Sequence, residues 1–148
     1  MKYGAAEAVG LEVDVDSIVS SLYNAEVNGL DMTFYHPREI TNGNQRLQVE
    51  LRRVTAANTE LGYEASRTLA QSELQQFDIT VANILAACLV RVAPVIADMT
   101  KPGGLLAVSG VLSYQADSVI AGFTDDFDDV KVAETENEWV LIAGIRKH

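Results

Sequence analysis

The sequence predicts a mixed α/β fold of the doubly wound type, in which a parallel sheet is closed by an antiparallel hairpin. An apolar run at residues 8–13 leads into a helix-like segment and then into a second apolar run at 32–35. That β-α-β order implies a right-handed crossover between parallel strands. Two further apolar segments, 130–133 and 139–144, are joined only by a charged turn, so they are expected to pair antiparallel.

Size and charge narrow the range of functions. The 148 residues fit one domain with a sizeable core, and 48% of them are apolar. The 11 basic and 21 acidic side chains give a net charge of −10. Such a surface repels phosphate backbones, which argues against direct binding of nucleic acid. A basic protein partner would suit this charge, although an acidic balance more often serves solubility alone.

The first elements follow from apolar periodicity and capping residues. Residues 1–8 are alanine-rich and are predicted to be helical, and the apolar run after them reads as a buried parallel strand. Asp14 or Asp16 can cap the next helix, which is expected to end at Gly29. The second strand is expected to stop before Pro37, because proline cannot donate to a ladder.

The middle of the chain has a different composition. Residues 38–76 are rich in Gln, Arg, Glu, Asn and Thr, and we interpret them as an insertion or an elaborated connection. Asn42-Gly43 is a hairpin-type turn, and alternating apolar residues at 47–51 predict a half-exposed strand. Residues 59–75 are predicted to be helical.

The α/β alternation then resumes. Residues 77–81 predict a buried strand, and 85–99 predict a helix that is kinked or split at Pro94. A strand at 105–109 and an amphipathic helix at 114–123 follow, before the closing hairpin. An α/β sheet that ends in this way is typical of the methyltransferase version of the doubly wound fold.

Reactive and metal-binding side chains are few. Cys88, the single cysteine, lies in an apolar run and is predicted to be a small core residue rather than a nucleophile. His36 and His148 are far apart in sequence and show no metal-ligand spacing. The longest apolar stretch is interrupted by Arg91 and Pro94 and is too short to span a bilayer. No signal peptide is recognisable, so we expect a cytoplasmic protein.

Glu12 ends the first strand, at the carboxyl edge where open α/β sheets bind ligands. A carboxylate at this edge can accept hydrogen bonds from both ribose hydroxyls of an adenosine. A solvated acid beside a helix cap fits the same position equally well.

Asn83 follows the 77–81 strand at the same kind of edge. Its amide offers one acceptor and two donors, and its carbonyl could hold a substrate amine with the lone pair directed at a methyl group. Positioning supplies most of the catalysis once the amine is neutral. Asparagine also favours turns at strand ends, so this residue alone is a weak signal.

The glycines do not form a nucleotide-binding loop. Gly103-Gly104 follows Pro102 and reads as a turn, and none of the ten glycines forms a G-x-G motif. A doubly wound nucleotide binder normally carries such a loop between its first strand and first helix. The chain is therefore expected to begin after that point.

Several linked segments resemble the ribosomal protein L-eleven methyltransferase family, whose members trimethylate amino groups of a protein at the stalk base of the large ribosomal subunit. The similarity covers nearly everything outside 38–76, and the linked order of the segments makes chance agreement improbable. The segments are Lys2-Tyr3-Gly4-Ala5, Val9-Gly10-Leu11-Glu12-Val13-Asp14, Asn24-Ala25-Glu26-Val27-Asn28-Gly29, Val81-Ala82-Asn83-Ile84-Leu85-Ala86, Lys101-Pro102-Gly103-Gly104-Leu105, Ser109-Gly110-Val111-Leu112 and Glu138-Trp139-Val140.

The resemblance implies a Rossmann-like S-adenosylmethionine-dependent methyltransferase fold that is incomplete because its first strand is missing, with 1–148 forming a partial domain. It implies S-adenosyl-L-methionine as cofactor and a large-subunit ribosomal protein as substrate. Glu12 stands where the family has its ribose-binding acid, with Glu in place of the usual Asp, and Asn83 where the family's asparagine contacts the cofactor and the substrate amine. Val15 replaces the usual proline, and 38–76 is longer than usual. The family's glycine-rich loop, a cofactor-binding threonine and the N-terminal recognition domain would lie upstream.

The missing strand would lie between the strands that end at Glu12 and Asn83. Its absence is expected to expose unpaired backbone and apolar faces, unless those two strands pair with each other or another chain fills the gap. We also expect these residues alone to bind the cofactor weakly or not at all. Their binding free energy should be poorer than that of an intact site by on the order of several kcal/mol, because multiple hydrogen bonds are lost.

Two other functions remain open at this stage. One is a non-catalytic module that has lost the cofactor pocket and uses its surfaces for binding. The other is a relative that acts on a different amine or amide. That relative would carry an N-P-P-Y type motif in place of Asn83-Ile84-Leu85-Ala86, so the sequence argues against it.

Overall fold

The computed structural model describes residues 4–40, 48–54, 68–69 and 76–148. Side chains are described for residues 4–36 and 76–148. These residues divide into two compact units. The first unit contains the described residues up to 69, and the second contains 76–148.

The first unit is a four-stranded sheet in the order β1-β2-β3-β4 with one helix. Its strands β1 and β2 are parallel, as the β-α-β pattern predicted, and β3 and β4 add antiparallel to the far side of β2. The elements in chain order are β1 (Val9–Leu11), α1 (Val15–Val27), β2 (Thr33–Ile40), β3 (Gln48–Val54) and β4 (Thr68–Leu69).

Local sequence accounts for the bounds of α1. Asp14 is its N-cap and accepts a hydrogen bond from the Ser17 backbone N–H at 2.7 Å. The helix is followed by Gly29, whose φ of +62° continues the turn that ends it. The buried face of α1 contributes Ile18 and Ala25, which pack with Phe34 of β2 in a small apolar core.

The second unit is a four-stranded sheet in the order β5-β6-β8-β7 with two helices. Strands β5 and β6 are parallel, whereas β8 pairs antiparallel with both β6 and β7, which confirms the predicted closing hairpin. The elements are β5 (Phe77–Asn83), α2 (Ala86–Met99), β6 (Thr100–Leu112), a 3-10 turn (Ser113–Gln115), α3 (Ala116–Phe123), β7 (Phe127–Glu136) and β8 (Trp139–Arg146).

The main core lies between one face of this sheet and the helices α2 and α3. Among its members are Leu89 from α2, Val119 from α3 and Ile142 from β8, which are all fully buried. Arg146, the last residue of β8, links this strand to α2 and to the turn before β7. It donates from Nε to the Ala97 carbonyl at 3.0 Å and from a guanidinium N–H to the Asp126 carbonyl at 2.7 Å.

The prediction that the second strand stops before Pro37 is wrong, because β2 continues to Ile40. The pairing explains why proline is tolerated here. β1 ends at Leu11 opposite Tyr35, so beyond that point β2 has only β3 as a neighbour. A proline in an edge segment costs no ladder bond when its nitrogen faces the open side.

The predicted helix at residues 59–75 is also wrong where it can be compared, since Thr68–Leu69 forms strand β4 beside β3. The remainder of that helix and the Asn42-Gly43 turn lie outside the described residues. β2 and β3 do pair antiparallel, and β3 contains most of the strand expected at 47–51. The expected helix at residues 1–8 is absent from its described part, 4–8.

In the second unit α2 is one helix that includes Pro94, so of the two predicted alternatives the split is wrong and the kink stays a prediction. Cys88 is exposed rather than buried, because the core-facing residues of α2 include Ala86, Leu89 and Ala93, and Cys88 lies outside that row. The strand expected at 105–109 extends in both directions to the full length of β6, which pairs with β5 on one side and β8 on the other. No helix in the described parts of the chain is long and apolar enough to cross a membrane.

Candidate functional site

Glu12 lies directly after β1 in the first unit, half-buried at the carboxyl end of the strand. Its side chain turns back on the chain, and Oε1 accepts hydrogen bonds from the backbone N–H groups of Val13 at 2.7 Å and Asp14 at 2.9 Å. Its own N–H donates to the Tyr35 carbonyl at 3.1 Å, which continues the ladder to β2. Two amides on Oε1 leave Oε2 as the oxygen best placed to accept a ligand hydroxyl.

Two contacts hold Val13 and Asp14, the residues that follow Glu12. His36 Nε2 lies 3.0 Å from the Val13 carbonyl oxygen, and this contact is a hydrogen bond when Nε2 carries the ring proton. The Ser17 backbone N–H bonded to Asp14 holds the pKa of that carboxyl below its ordinary value of 3.8. The first unit therefore presents a carboxylate at its strand end on an ordered turn.

Asn83 is the last residue of β5 in the second unit, opposite Ser109 of β6, and its side chain is exposed. The chain then passes through Ile84 and Leu85 into the first turn of α2, where the Leu85 carbonyl accepts from the N–H of Leu89 at 3.0 Å. Ile84 and Leu85 are both exposed, so Asn83 is bordered by an apolar rim at this end of the sheet.

Gly110 shapes the space beside Asn83. Its φ is +77°, and a Cβ built on it would lie 2.7 Å from the Ile84 carbonyl oxygen and 2.9 Å from Asn83 Oδ1. The Ile84 carbonyl oxygen and Asn83 Oδ1 therefore both pack close to Gly110, at distances that leave no room for a side chain. Gly110 lies within the segment Ser109-Gly110-Val111-Leu112 that resembles the family, but no role was predicted for it. A glycine directly after a predicted strand, at the edge where ligands bind, was the signal for it.

Glu12 and Asn83 each lie at the carboxyl end of a parallel strand, as predicted, but the two strands belong to different sheets in different units. β1 pairs with β2 and β5 pairs with β6. That both side chains serve one ligand stays a prediction. In the described residues no group of three or more His, Cys, Asp or Glu side chains is placed to hold a metal ion.

Solved structures define the class of fold. A ribosomal protein L11 methylase from Lactobacillus delbrueckii subsp. bulgaricus superposes with a TM-score of 0.68 at 20% identity, covering 99% of this chain and 62% of that one. A methyltransferase from Pyrococcus furiosus superposes with a TM-score of 0.61 at 10% identity, covering 96% of this chain and 64% of that one. The fold is that of the Rossmann-like S-adenosylmethionine-dependent methyltransferases in incomplete form, which confirms the predicted fold class.

Sequence similarity is more specific than the fold. Residues 1–147 match the family model described as ribosomal protein L11 methyltransferase (PrmA), and the chain belongs to this family. The ribosomal protein L11 methyltransferase of Photorhabdus laumondii is 37% identical over 148 residues, and that of Glaesserella parasuis is 34% identical over 148 residues. These matches cover 99% and 100% of this chain but only 39% and 40% of the two relatives. The chain thus spans about two fifths of the length of the curated relatives it matches.

Proposed function

We propose that this chain supplies the amine-positioning part of a methyltransferase that uses S-adenosyl-L-methionine and modifies lysine or other amino groups of ribosomal protein L11. Membership of the family supports the reaction class. The convergence of Asn83 Oδ1 and the Ile84 carbonyl beside Gly110 is the observation that carries the proposal. A ribosomal substrate would place the reaction in the cytoplasm.

The two oxygens suit an amine for a simple reason. A neutral primary amine has two N–H donors and one lone pair, and two carbonyl acceptors can hold both donors while the lone pair stays free. An ordinary lysine has a pKa near 10.4, so its Nζ must lose a proton before that lone pair can react. Asn83 and Ile84 would then fix the direction of the lone pair, and such positioning is most of what methyl transfer needs.

Glu12 would serve the other end of the cofactor. S-adenosyl-L-methionine, when bound, supplies an electrophilic methyl group on a sulfonium centre and carries a ribose with two hydroxyls. Oε2 of Glu12 is the oxygen that would accept from those hydroxyls, because Oε1 already accepts two backbone amides. The residues present at both ends have the donor and acceptor chemistry that this cofactor requires.

The test uses two proteins: the 148-residue chain, and the same chain joined to the part of the P. laumondii relative that it does not match. Methylation of purified ribosomal protein L11 is followed by mass spectrometry. We expect the extended protein to add methyl groups and the short chain to add few or none. The proposal fails if the extended protein binds S-adenosyl-L-methionine yet leaves L11 unmodified.

Variants of the extended protein then assign the residues. Asn83→Ala removes the side-chain acceptor and should lower kcat roughly 100-fold or more, in line with the cost of losing a positioning group. Glu12→Gln keeps an oxygen for the two backbone amides but removes the charge, so it should raise the KM for the cofactor roughly 10-fold with little change in kcat. Ser113→Ala, a change at an exposed hydroxyl, serves as the control. Unchanged kcat in Asn83→Ala would remove Asn83 from the mechanism.

A further inference from the structure

An open groove runs along one side of helix α1 in the first unit. It encloses about 690 Å³, a volume typical of sites that bind ligands or side chains of a partner. One wall is α1 itself, and the other is the stretch of chain that connects α1 to β2. Neither Glu12 nor Asn83 lines this groove, so it is separate from the candidate site.

The helix wall has the spacing of a helix-packing surface. Val19, Leu22, Tyr23 and Glu26 line the groove and stand at positions i, i+3, i+4 and i+7, which share one side of a helix. Val19 and Tyr23 are 44% and 64% exposed, whereas Ile18, which faces the sheet, is fully buried. α1 therefore has apolar side chains beyond those that its own core uses, arranged as in helices that pack against another helix.

The floor of the groove is apolar and its rim is acidic. Leu22, Leu30 and Met32 line it and are half-buried, because their inner sides pack against the core of the first unit. Glu26 and Asp31 also line it, one from each wall, and both are exposed. A segment in this groove would meet apolar contacts below and a carboxylate on either side.

The groove lies on the side of α1 that faces β2. Its second wall, which includes Leu30 and Met32, leads directly into β2. The strand that the family resemblance leaves out would lie on the other side, beside β1, because a right-handed crossover moves from β1 to β2 in one direction only. Filling the groove is therefore a different event from completing the sheet.

Charge narrows the choice of occupant. Residues 4–36 contain no lysine or arginine but six carboxylates, which are Glu7, Glu12, Asp14, Asp16, Glu26 and Asp31. Such a surface attracts positively charged segments and repels phosphate groups and acidic ones.

We propose that this groove binds a basic amphipathic helix of a partner protein. The apolar side of that helix would pack on Leu22, Tyr23 and Leu30, and its Lys or Arg side chains would lie beside Glu26 and Asp31. Laying the apolar side of a helix into a groove is a recurring mode of recognition between proteins. The inference goes beyond the proposed methyl transfer and does not depend on it.

A second copy of the chain is a poorer occupant. Among its described helices α1, α2 and α3, Arg91 is the only lysine or arginine. Each copy also has a net charge of −10, so electrostatic repulsion opposes the association of two copies.

The test measures binding of a labelled synthetic peptide to the 148-residue chain by fluorescence anisotropy. The peptide is helical, with leucine on one side and lysine on the other, and a control peptide has glutamate in place of lysine. We expect saturable 1:1 binding of the leucine–lysine peptide that weakens as salt is added, because salt screens the ion pairs. The glutamate peptide should not bind.

Paired variants separate the groove from overall charge. Glu26→Gln combined with Asp31→Asn should weaken binding roughly 5-fold, the scale of two exposed ion pairs. Asp125→Asn combined with Asp129→Asn changes the net charge equally at exposed residues of the second unit and should leave the affinity unchanged.

The apolar wall has its own pair of variants. Tyr23→Ala should weaken binding roughly 10-fold, as expected for an aromatic anchor in an interface. Tyr114→Ala, at an 81% exposed residue of the second unit, should have no effect.

Hydrogen exchange on the unaltered chain guards against variants that fail to fold. The peptide should protect amides at 22–32, whereas those of α2 and α3 should not change. The inference is overturned by the absence of saturable binding, by equal losses in the control variants, by protection in the second unit instead, or by a dimer of the chain that excludes the peptide. A chain that binds the peptide but takes no part in methylation of L11 leaves the inference standing and counts against the proposed function alone.

Discussion

Gly110 lies where Asn83 Oδ1 and the Ile84 carbonyl oxygen converge, and its backbone is left-handed. Gly110→Ala should therefore lower the free energy of unfolding for two reasons. The left-handed backbone costs about 1–2 kcal/mol for any residue with a Cβ. In addition, backbone or side-chain oxygens less than 3 Å from the new atom have to move.

Gly103→Ala is the matched control for that prediction. Gly103 belongs to the same unit and has a φ of +76°, but a Cβ there would meet only the His148 ring at 3.6 Å, an ordinary contact. Urea unfolding should thus show a larger loss of stability for Gly110→Ala than for Gly103→Ala. Equal losses would mean that the space beside Asn83 is not confined.

The Asp14 cap makes the stability of α1 depend on pH. Its folded-state pKa is depressed by the Ser17 N–H, so its stabilising contribution is complete well above pH 3.8 and disappears as the pH falls through the lowered pKa. Asp14→Asn keeps a side-chain oxygen for the same N–H, and Asp14→Ala does not.

At neutral pH we expect Asp14→Ala to lose helical circular dichroism and to unfold at lower urea concentration, whereas Asp14→Asn should stay near the parent. Below pH 3.8 the parent should approach Asp14→Ala as the carboxylate becomes protonated. An acid titration in which the difference between parent and Asp14→Ala stays constant would show that the charged cap is not the source of the effect.

At the level of elements, Thr100 joins helix α2 to strand β6. It is fully buried, donates from Oγ1 to the Ile96 carbonyl at 2.7 Å and lies 2.8 Å from the Thr80 hydroxyl of β5. Thr100→Val keeps the shape but leaves the Thr80 hydroxyl and the Ile96 carbonyl without this partner. Leaving buried groups unsatisfied in this way costs about 1–3 kcal/mol.

Thr124→Val is the corresponding change at an exposed site, since Thr124 donates to the Ala121 carbonyl at 3.0 Å in contact with solvent. Water can replace that bond, so the cost should stay within about 0.5 kcal/mol. Denaturant curves with equal slopes for both variants would allow the comparison. A loss as small for Thr100→Val as for Thr124→Val would contradict the structural role assigned to Thr100.

Elements that depend on local pattern were predictable, and those that depend on pairing were not. Capping by Asp14 and the closing hairpin follow from neighbouring residues and short links. The extension of β2 through Pro37 depends on where β1 ends, and the exposure of Cys88 depends on which row of α2 faces the sheet. Both are tertiary facts that a residue pattern does not contain.

The same distinction applies to the candidate site. The positions of Glu12 and Asn83 at strand ends were predictable, because carboxyl ends of parallel strands are where such sheets bind ligands. The turning of Glu12 Oε1 onto two backbone amides and the convergence of oxygens beside Gly110 were not. These details depend on the local backbone and side-chain torsion angles, which composition and spacing do not encode.

For the whole molecule, four exposed apolar side chains on the sheet of the second unit, Ile79, Val81, Leu105 and Ile145, govern the solution behaviour of the chain. We call this surface the bare face. Contiguous exposed apolar side chains bind hydrophobic dyes and promote association. Val81→Lys places a charge on this surface, on a side chain that is already 72% exposed and contributes little to the core. We expect it to lower ANS fluorescence and to raise the soluble fraction during concentration, without lowering the urea midpoint.

Tyr114→Lys changes the net charge by the same amount at a residue that is 81% exposed but outside the bare face. Comparison of the two variants therefore separates the effect of local surface chemistry from that of overall charge, which repulsion between chains of net charge −10 already influences. If Tyr114→Lys improves solubility and reduces dye binding as much as Val81→Lys does, then net charge and not the bare face governs association of the chain.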